Sequence, residues 1–212
     1  MGMGGGGSGG AITAHVHSAS AGQGGSLTDA SLMNSALITE NFNRLVAIAE
    51  HIATTTEAGH TFDFSADPLD MVSEFKAVLI LISGRTTASF ELQLKVNGTT
   101  TTYTIDGTQT DTTVVSGIAR NSQAHWAILE TALLDSGGRR FMGHVMIQLE
   151  DAGDDLCMVG QMGALGEGLY NFAGVQLTDT TEINEIILET STSTWDAGTR
   201  ITVYGIKELD AT

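Results

Sequence analysis

The sequence predicts an all-β protein: an antiparallel jelly roll or similar β-sandwich, preceded by an extended Gly-rich arm and one short helix. Three observations carry that expectation. Thr and Gly are abundant while Pro occurs once, at Pro68; branched Thr side chains suit a pleated surface, and glycines suit the turns between strands. Apolar and polar residues alternate repeatedly over residues 59–212, which is the period of a strand with one buried face. Turn signals separate these segments at short intervals, with no helix-length crossover between them, so antiparallel pairing is expected.

Three parts follow in order. Residues 1–30 form the arm, with glycine tracts either side of Ala11-Ile-Thr-Ala-His-Val-His17. Alone it has too little apolar surface to fold. Residues 31–58 read as a helix, because Ile38, Phe42, Leu45, Ala49 and Ile52 recur at the 4-3-4-3 spacing of a coiled-coil seam. Two readings of that stripe stand: it packs on the chain's own sheet, or it packs against copies of itself as a short trimeric coiled coil. Two heptads are too short to hold alone, so a trimer would also need contacts between the β modules.

Residues 59–212 form the sandwich. Strands are expected at His60–Ser65, Glu74–Ser83 and Ser89–Val96, with Asn97-Gly98 as a hairpin turn, since both residues tolerate positive φ. Thr99–Ile105 returns, and Asp106-Gly107 turns again. His125–Leu134 follows, then Arg140–Leu149, where Phe141, Val145, Ile147 and Leu149 alternate with Met142, His144, Met146 and Gln148. Leu156–Met162, Leu169–Gln176, Glu182–Glu189 and Thr199–Lys207 complete the set. Leu156–Met162 and Leu169–Gln176 carry the weaker alternation, and the other strands, about eight, fit two sheets wound as a jelly roll.

The charge excludes one class of partner. With 25 acidic against 9 basic residues the net charge is −16, and a nucleic-acid partner requires clustered Lys and Arg to displace counterions. The densest basic group is Arg139-Arg140. No apolar run approaches the roughly 20 residues of a membrane span, and the N-terminus lacks the basic and apolar regions of a signal peptide. The single cysteine, Cys157, excludes an intrachain disulfide. It sits in an apolar run and is expected in the core.

Catalytic patterns are missing too. No nucleophile elbow, phosphate loop or zinc spacing occurs. Gly160-Gln-Met-Gly-Ala-Leu-Gly166 lacks the βαβ context of a dinucleotide loop, and Asp151-Ala-Gly-Asp-Asp155 lacks the register and terminal Glu of a calcium loop. The chain is not expected to be an enzyme. Trp195, in an apparent loop, is the aromatic best placed to stack on a sugar; the alternative is that it caps the sandwich or fills an interface.

The C-terminal stretches carry a family likeness. Thr181-Glu-Ile-Asn-Glu-Ile-Ile-Leu-Glu189, and then Ala197-Gly-Thr-Arg-Ile-Thr-Val-Tyr-Gly-Ile-Lys207, resemble the last two strands of jelly-roll modules in tailed-phage virion proteins. Ala77-Val-Leu-Ile-Leu-Ile-Ser-Gly-Arg85 and Leu94-Lys-Val-Asn-Gly98 look like the module's early strands. The likeness covers roughly residues 60–207. It implies a non-enzymatic virion structural protein, made in the host cytoplasm, whose partners are its own copies in a homotrimer and other virion proteins such as capsid or tail proteins. A single short module, with no repeated shaft, favours a capsid decoration, cement or head-fibre protein anchored by its arm. The alternative is a tail fibre or receptor-binding protein whose jelly roll binds a host-surface glycan.

The arm has its own likeness, since His15-Val-His17 followed by a Gly-Gly loop is similar to His-x-His segments of phage fibre proteins. There, three chains place six imidazoles around one metal ion. Residues i and i+2 of a strand share a face, so His15 and His17 from three copies would coordinate a transition-metal ion octahedrally on a three-fold axis. The other reading is a pair of exposed or hydrogen-bonded histidines.

Overall fold

The computed structural model describes residues 45–86, 88, 91–98, 103–110, 115–129, 140–149, 155–164, 168–176, 181–191 and 193–207. Its compact unit runs from Asn43 to Thr212. The strands among the described residues are β1 (Leu45–Ile52), β2 (Gly59–Asp63), β3 (Leu69–Asp70), β4 (Ala77–Arg85), β5 (Leu92–Val96), β6 (Tyr103–Thr110), β7 (Val115–Gln123), β8 (Trp126–Leu129), β9 (Arg140–Leu149), β10 (Leu156–Ala164), β11 (Gly168–Gln176), β12 (Glu182–Ile183), β13 (Glu185–Thr190) and β14 (Arg200–Ile206).

Their pairing is nested, first with last. β1 pairs β14, β2 pairs β13, β4 pairs β9 and β5 pairs β8, all antiparallel. β14 then joins β4, and β13 joins β5. The outcome is two main sheets, built on β1-β14-β4-β9 and β2-β13-β5-β8, beside a two-stranded sheet, β12-β3. This is a long hairpin rolled on itself, the topology of a jelly roll. Two antiparallel pairs, β10–β11 and β6–β7, extend the first sheet to eight strands in the order β1-β14-β4-β9-β10-β11-β6-β7.

The inner faces of both sheets meet in one apolar cluster. Ile80, Val145, Ile147, Met158 and Tyr170 of the large sheet pack with Leu92, Leu94, Trp126, Ile128, Ile186 and Leu188 of the small one. Each large side chain buried this way contributes about 1.5–3 kcal/mol. Alternation explains which residues enter: along β9, Phe141, Val145 and Ile147 are buried while Met142, His144 and Gln148 are exposed. Polar ties cross the core. The Tyr103 hydroxyl donates to the Val96 carbonyl at 3.1 Å and accepts from the Val96 N–H at 3.0 Å. The Trp126 indole donates to the Thr104 carbonyl at 3.1 Å, and Trp126 meets Tyr103 edge to face. Gly160 leaves room for an aromatic ring: a Cβ there would lie 2.5 Å from the Phe172 ring.

Four expectations change. The stretch read as helix over residues 31–58 is strand from Leu45 to Ile52, and residues 53–58 contain no helix; residues 31–44 lie outside the described residues. β1 carries a bulge between Ala47 and Ala49. One extra residue shifts the alternation by one, so outward Leu45 and Ile52 and inward Ala49 fall at a spacing that imitates a helical seam. The sandwich therefore begins at Leu45 and not at residue 59. Asp106-Gly107 is the middle of β6 and not a turn; the glycine serves close strand approach, since a Cβ would stand 2.6 Å from the Asn171 carbonyl oxygen. Asn97 and Gly98 both have φ of 56° as a tight turn requires, yet they do not close a hairpin, because β5 and β6 belong to different sheets. Finally, β7 was not anticipated: Val115–Gln123 has no run of alternating large apolar residues.

Candidate functional site

Two places in the sandwich bring chemically active side chains together. The first is a cleft of about 700 Å³ at one end of the large sheet. It is lined by the ends of β4, β9 and β10, the first residue of β11, and the turn before β14. Arg85 and Arg140 stand directly opposite each other across β4 and β9. Like charges at paired positions disfavour a sheet unless something offsets them. Asp196 does part of this: its Oδ2 lies 3.6 Å from Arg85 Nε, and its N–H donates to the Arg85 carbonyl at 2.8 Å. Phe141 and Met142 supply an apolar wall, and Thr199 is buried against Gly84 with its hydroxyl lacking a hydrogen-bond partner. Guanidinium groups in a partly apolar recess suit a carboxylate or another planar anion.

The second is a polar knot at the junction of the two sheets. Glu57 and Trp195 exchange backbone hydrogen bonds of 3.2 and 2.9 Å. The Trp195 indole N–H also donates to Glu57 Oε1 at 3.0 Å, and His51 Nε2 is hydrogen-bonded to the same oxygen. His51 stacks on His60 with ring centroids 3.6 Å apart and an interplanar angle of 8°, and His60 meets the edge of Phe62. Burial pushes the Glu57 carboxyl up, but the hydrogen bonds from His51 and Trp195 and the positive potential of both histidines outweigh it, so Glu57 ionises more readily than usual. Burial, and then the neighbouring His51, hold His60 below the usual imidazole range, against the smaller pull of Glu57. Among the described residues no group of three or more His, Cys, Asp or Glu is arranged to hold a metal ion.

The residues singled out from sequence are dispersed. His15, His17, Ile38 and Phe42 lie outside the described residues. Leu45 and Ile52 are exposed on β1, and Ala49 turns inward against the core, so these three form no helical seam. Trp195 is a correction: it is fully buried, pinned between Glu57 and Thr86 by isolated bridges. Its ring caps the core and has no face to offer a sugar. Cys157 is also a correction, since it is half-buried on the outer side of β10 and not in the core. Gly160 to Ala164 belong to β10, which leaves no room for a phosphate-binding turn there. Neither the cleft nor the knot was legible in sequence. The cleft joins Arg85, Arg140 and Asp196, far apart along the chain, with the Arg139-Arg140 pair as its one hint. In the knot His51, Glu57 and His60 are close in sequence, but Trp195 is remote from them. No helix among the described residues is long and apolar enough to cross a membrane.

Compared with known proteins, the chain matches no family model, no characterised protein and no solved structure. Its class, a jelly-roll β-sandwich with an enlarged sheet, rests on the strand order itself.

Proposed function

We propose that this chain is a non-enzymatic structural protein of a tailed-phage virion: a homotrimeric capsid decoration, cement or head-fibre protein anchored by its N-terminal arm. One observation carries the reading. The stretches that resemble the last two strands of phage jelly-roll modules contain β12 with β13, and β14; β12 pairs with β3, while β13 lies between β2 and β5 and β14 between β1 and β4. A jelly-roll strand order over these residues is what the resemblance implies. The arm, with His15 and His17 as a candidate transition-metal site on the three-fold axis, would clasp a capsid or tail protein, and multivalent contact by a trimer would reinforce the shell.

The test is light scattering and particle binding, with and without residues 1–30. The full chain is expected at three times the chain mass and bound to particles, and the truncated chain is expected to lose particle binding. A monomer in both forms would overturn the trimer, and retained binding after truncation would overturn the anchoring role. A second reading, a tail-fibre or receptor-binding protein that holds a host glycan, is favoured by the Arg85–Arg140 cleft. Its ligand would be an acidic sugar, and glycan-array binding abolished by Arg140→Ala would select it.

A further inference from the structure

β14, β4, β9, β10 and β11 are consecutive in the large sheet, and none contains an Asp or a Glu. In a chain with 25 acidic residues, that leaves a broad acid-free plateau. One outward row is apolar across all five strands: Tyr204, Leu79, Met146, Val159 and Ala173. The row beside it, Thr202, Leu81, His144, Gln161 and Asn171, is polar apart from Leu81 and uncharged apart from the imidazole. Seven large apolar side chains are exposed among the described residues. Six of them, Leu45, Ile52, Leu81, Met142, Val159 and Leu169, project from this face of the sheet; Val72 is the exception. Among the described residues, carboxylates border the plateau, at Glu50 on β1, Asp106 on β6, Asp155 just before β10 and Asp196 beside Arg85. An apolar centre with a charged rim is the anatomy of a protein interface, not of a solvated sheet face.

We infer that the outer face of strands β14-β4-β9-β10-β11 is where a second copy of this chain docks. Charge selects the occupant. A second copy also carries −16, so close contact requires a surface from which carboxylates have been removed. The plateau's only Lys or Arg residues, Arg85, Arg140 and Arg200, gather at one end, where Arg85 pairs with Asp196 and Arg200 with Glu50 of the same chain, so the plateau itself adds little net charge to a contact. Five strands about 4.8 Å apart and seven residues at about 3.3 Å each span roughly 550 Å². Side-chain relief brings this toward the roughly 800 Å² that each partner of a stable complex buries. The inference rests on the self-association in the reading above and not on its virion role.

The experiment is light scattering of the full chain beside Val159→Glu and Val72→Glu. The wild-type chain should run at a multiple of 22.2 kDa. Val159→Glu, a charge at the centre of the plateau, should weaken association by roughly a hundredfold or more and return the single-chain mass with unchanged circular dichroism. Val72→Glu, off the plateau, should leave the assembly intact. A wild-type monomer, an assembly untouched by Val159→Glu, or equal dissociation by Val72→Glu overturns the inference. A two-chain mass abolished by Val159→Glu supports this interface while overturning the trimer. Should Val159→Glu not fold, peroxide footprinting of the unmutated protein decides. Met142, 69% exposed on the single chain, is expected to resist oxidation when associated and to react on dilution. Oxidation of Met142 as fast as free methionine in the associated protein overturns the proposal.

Discussion

Gly143→Ala probes the register on which the candidate surfaces depend. Gly143 sits on β9 between Ile82 of β4 and Met162 of β10. An added Cβ would lie 2.7 Å from Met162 Cα and closer still to the Gln161 carbonyl oxygen. These are backbone atoms of a ladder, so relief requires β9 and β10 to separate. Overpacking usually costs about 1–3 kcal/mol, and a rigid neighbour places this substitution near 3 kcal/mol. For the unit from Asn43 to Thr212, the unfolding entropy is about 0.36 kcal/mol/K, so Tm should fall by about 8 °C. The control is Gly117→Ala on β7, where a Cβ meets nothing within 4 Å. Losing glycine's excess unfolded-state freedom there should leave stability unchanged or raise it by up to about 1 kcal/mol. Scanning calorimetry with urea titration reads both. A Gly143→Ala Tm within about 2 °C of the parent would refute the β9–β10 register.

Further outcomes follow from the polar knot and the turn. Acid should destabilise the protein: His60 binds its proton less readily when folded, so stability is full above the ordinary imidazole value of 6.5 and declines as pH falls below it. Glu57, which stays ionised more readily when folded, adds a further loss below 4.5 that Glu57→Gln should remove; urea midpoints that stay flat across this range would contradict both. Trp195→Phe removes a hydrogen bond to a carboxylate and part of a buried ring, and should cost about 2–4 kcal/mol by chemical denaturation. Asn97→Ala should cost about 2–4 kcal/mol, because Asn97 holds a left-handed φ. Its side chain also accepts from the Asn184 and Glu185 N–H groups and donates to the Glu182 carbonyl. Asn97→Gly, which keeps the backbone freedom, should recover only the strain.

The class of structure and most of its strands were legible in the residues alone. Arg140–Leu149 was legible to the residue because its two faces differ sharply in polarity, and a two-residue period has one structural meaning. Asn97-Gly98 announced its backbone angles for a similarly local reason. Which strands pair was settled by contacts between distant segments. Asn97-Gly98 leads from one sheet to the other, because register and sheet membership are set by burial against distant strands. The bulge in β1 became visible only opposite β14. Trp195 looked exposed in a polar stretch, and two chain segments remote in sequence, at Glu57 and Thr86, bury it. The acid-free plateau has the same origin. Five strands drawn from residues 77–206 each lack carboxylates, and only their alignment in one sheet turns separate omissions into a single surface.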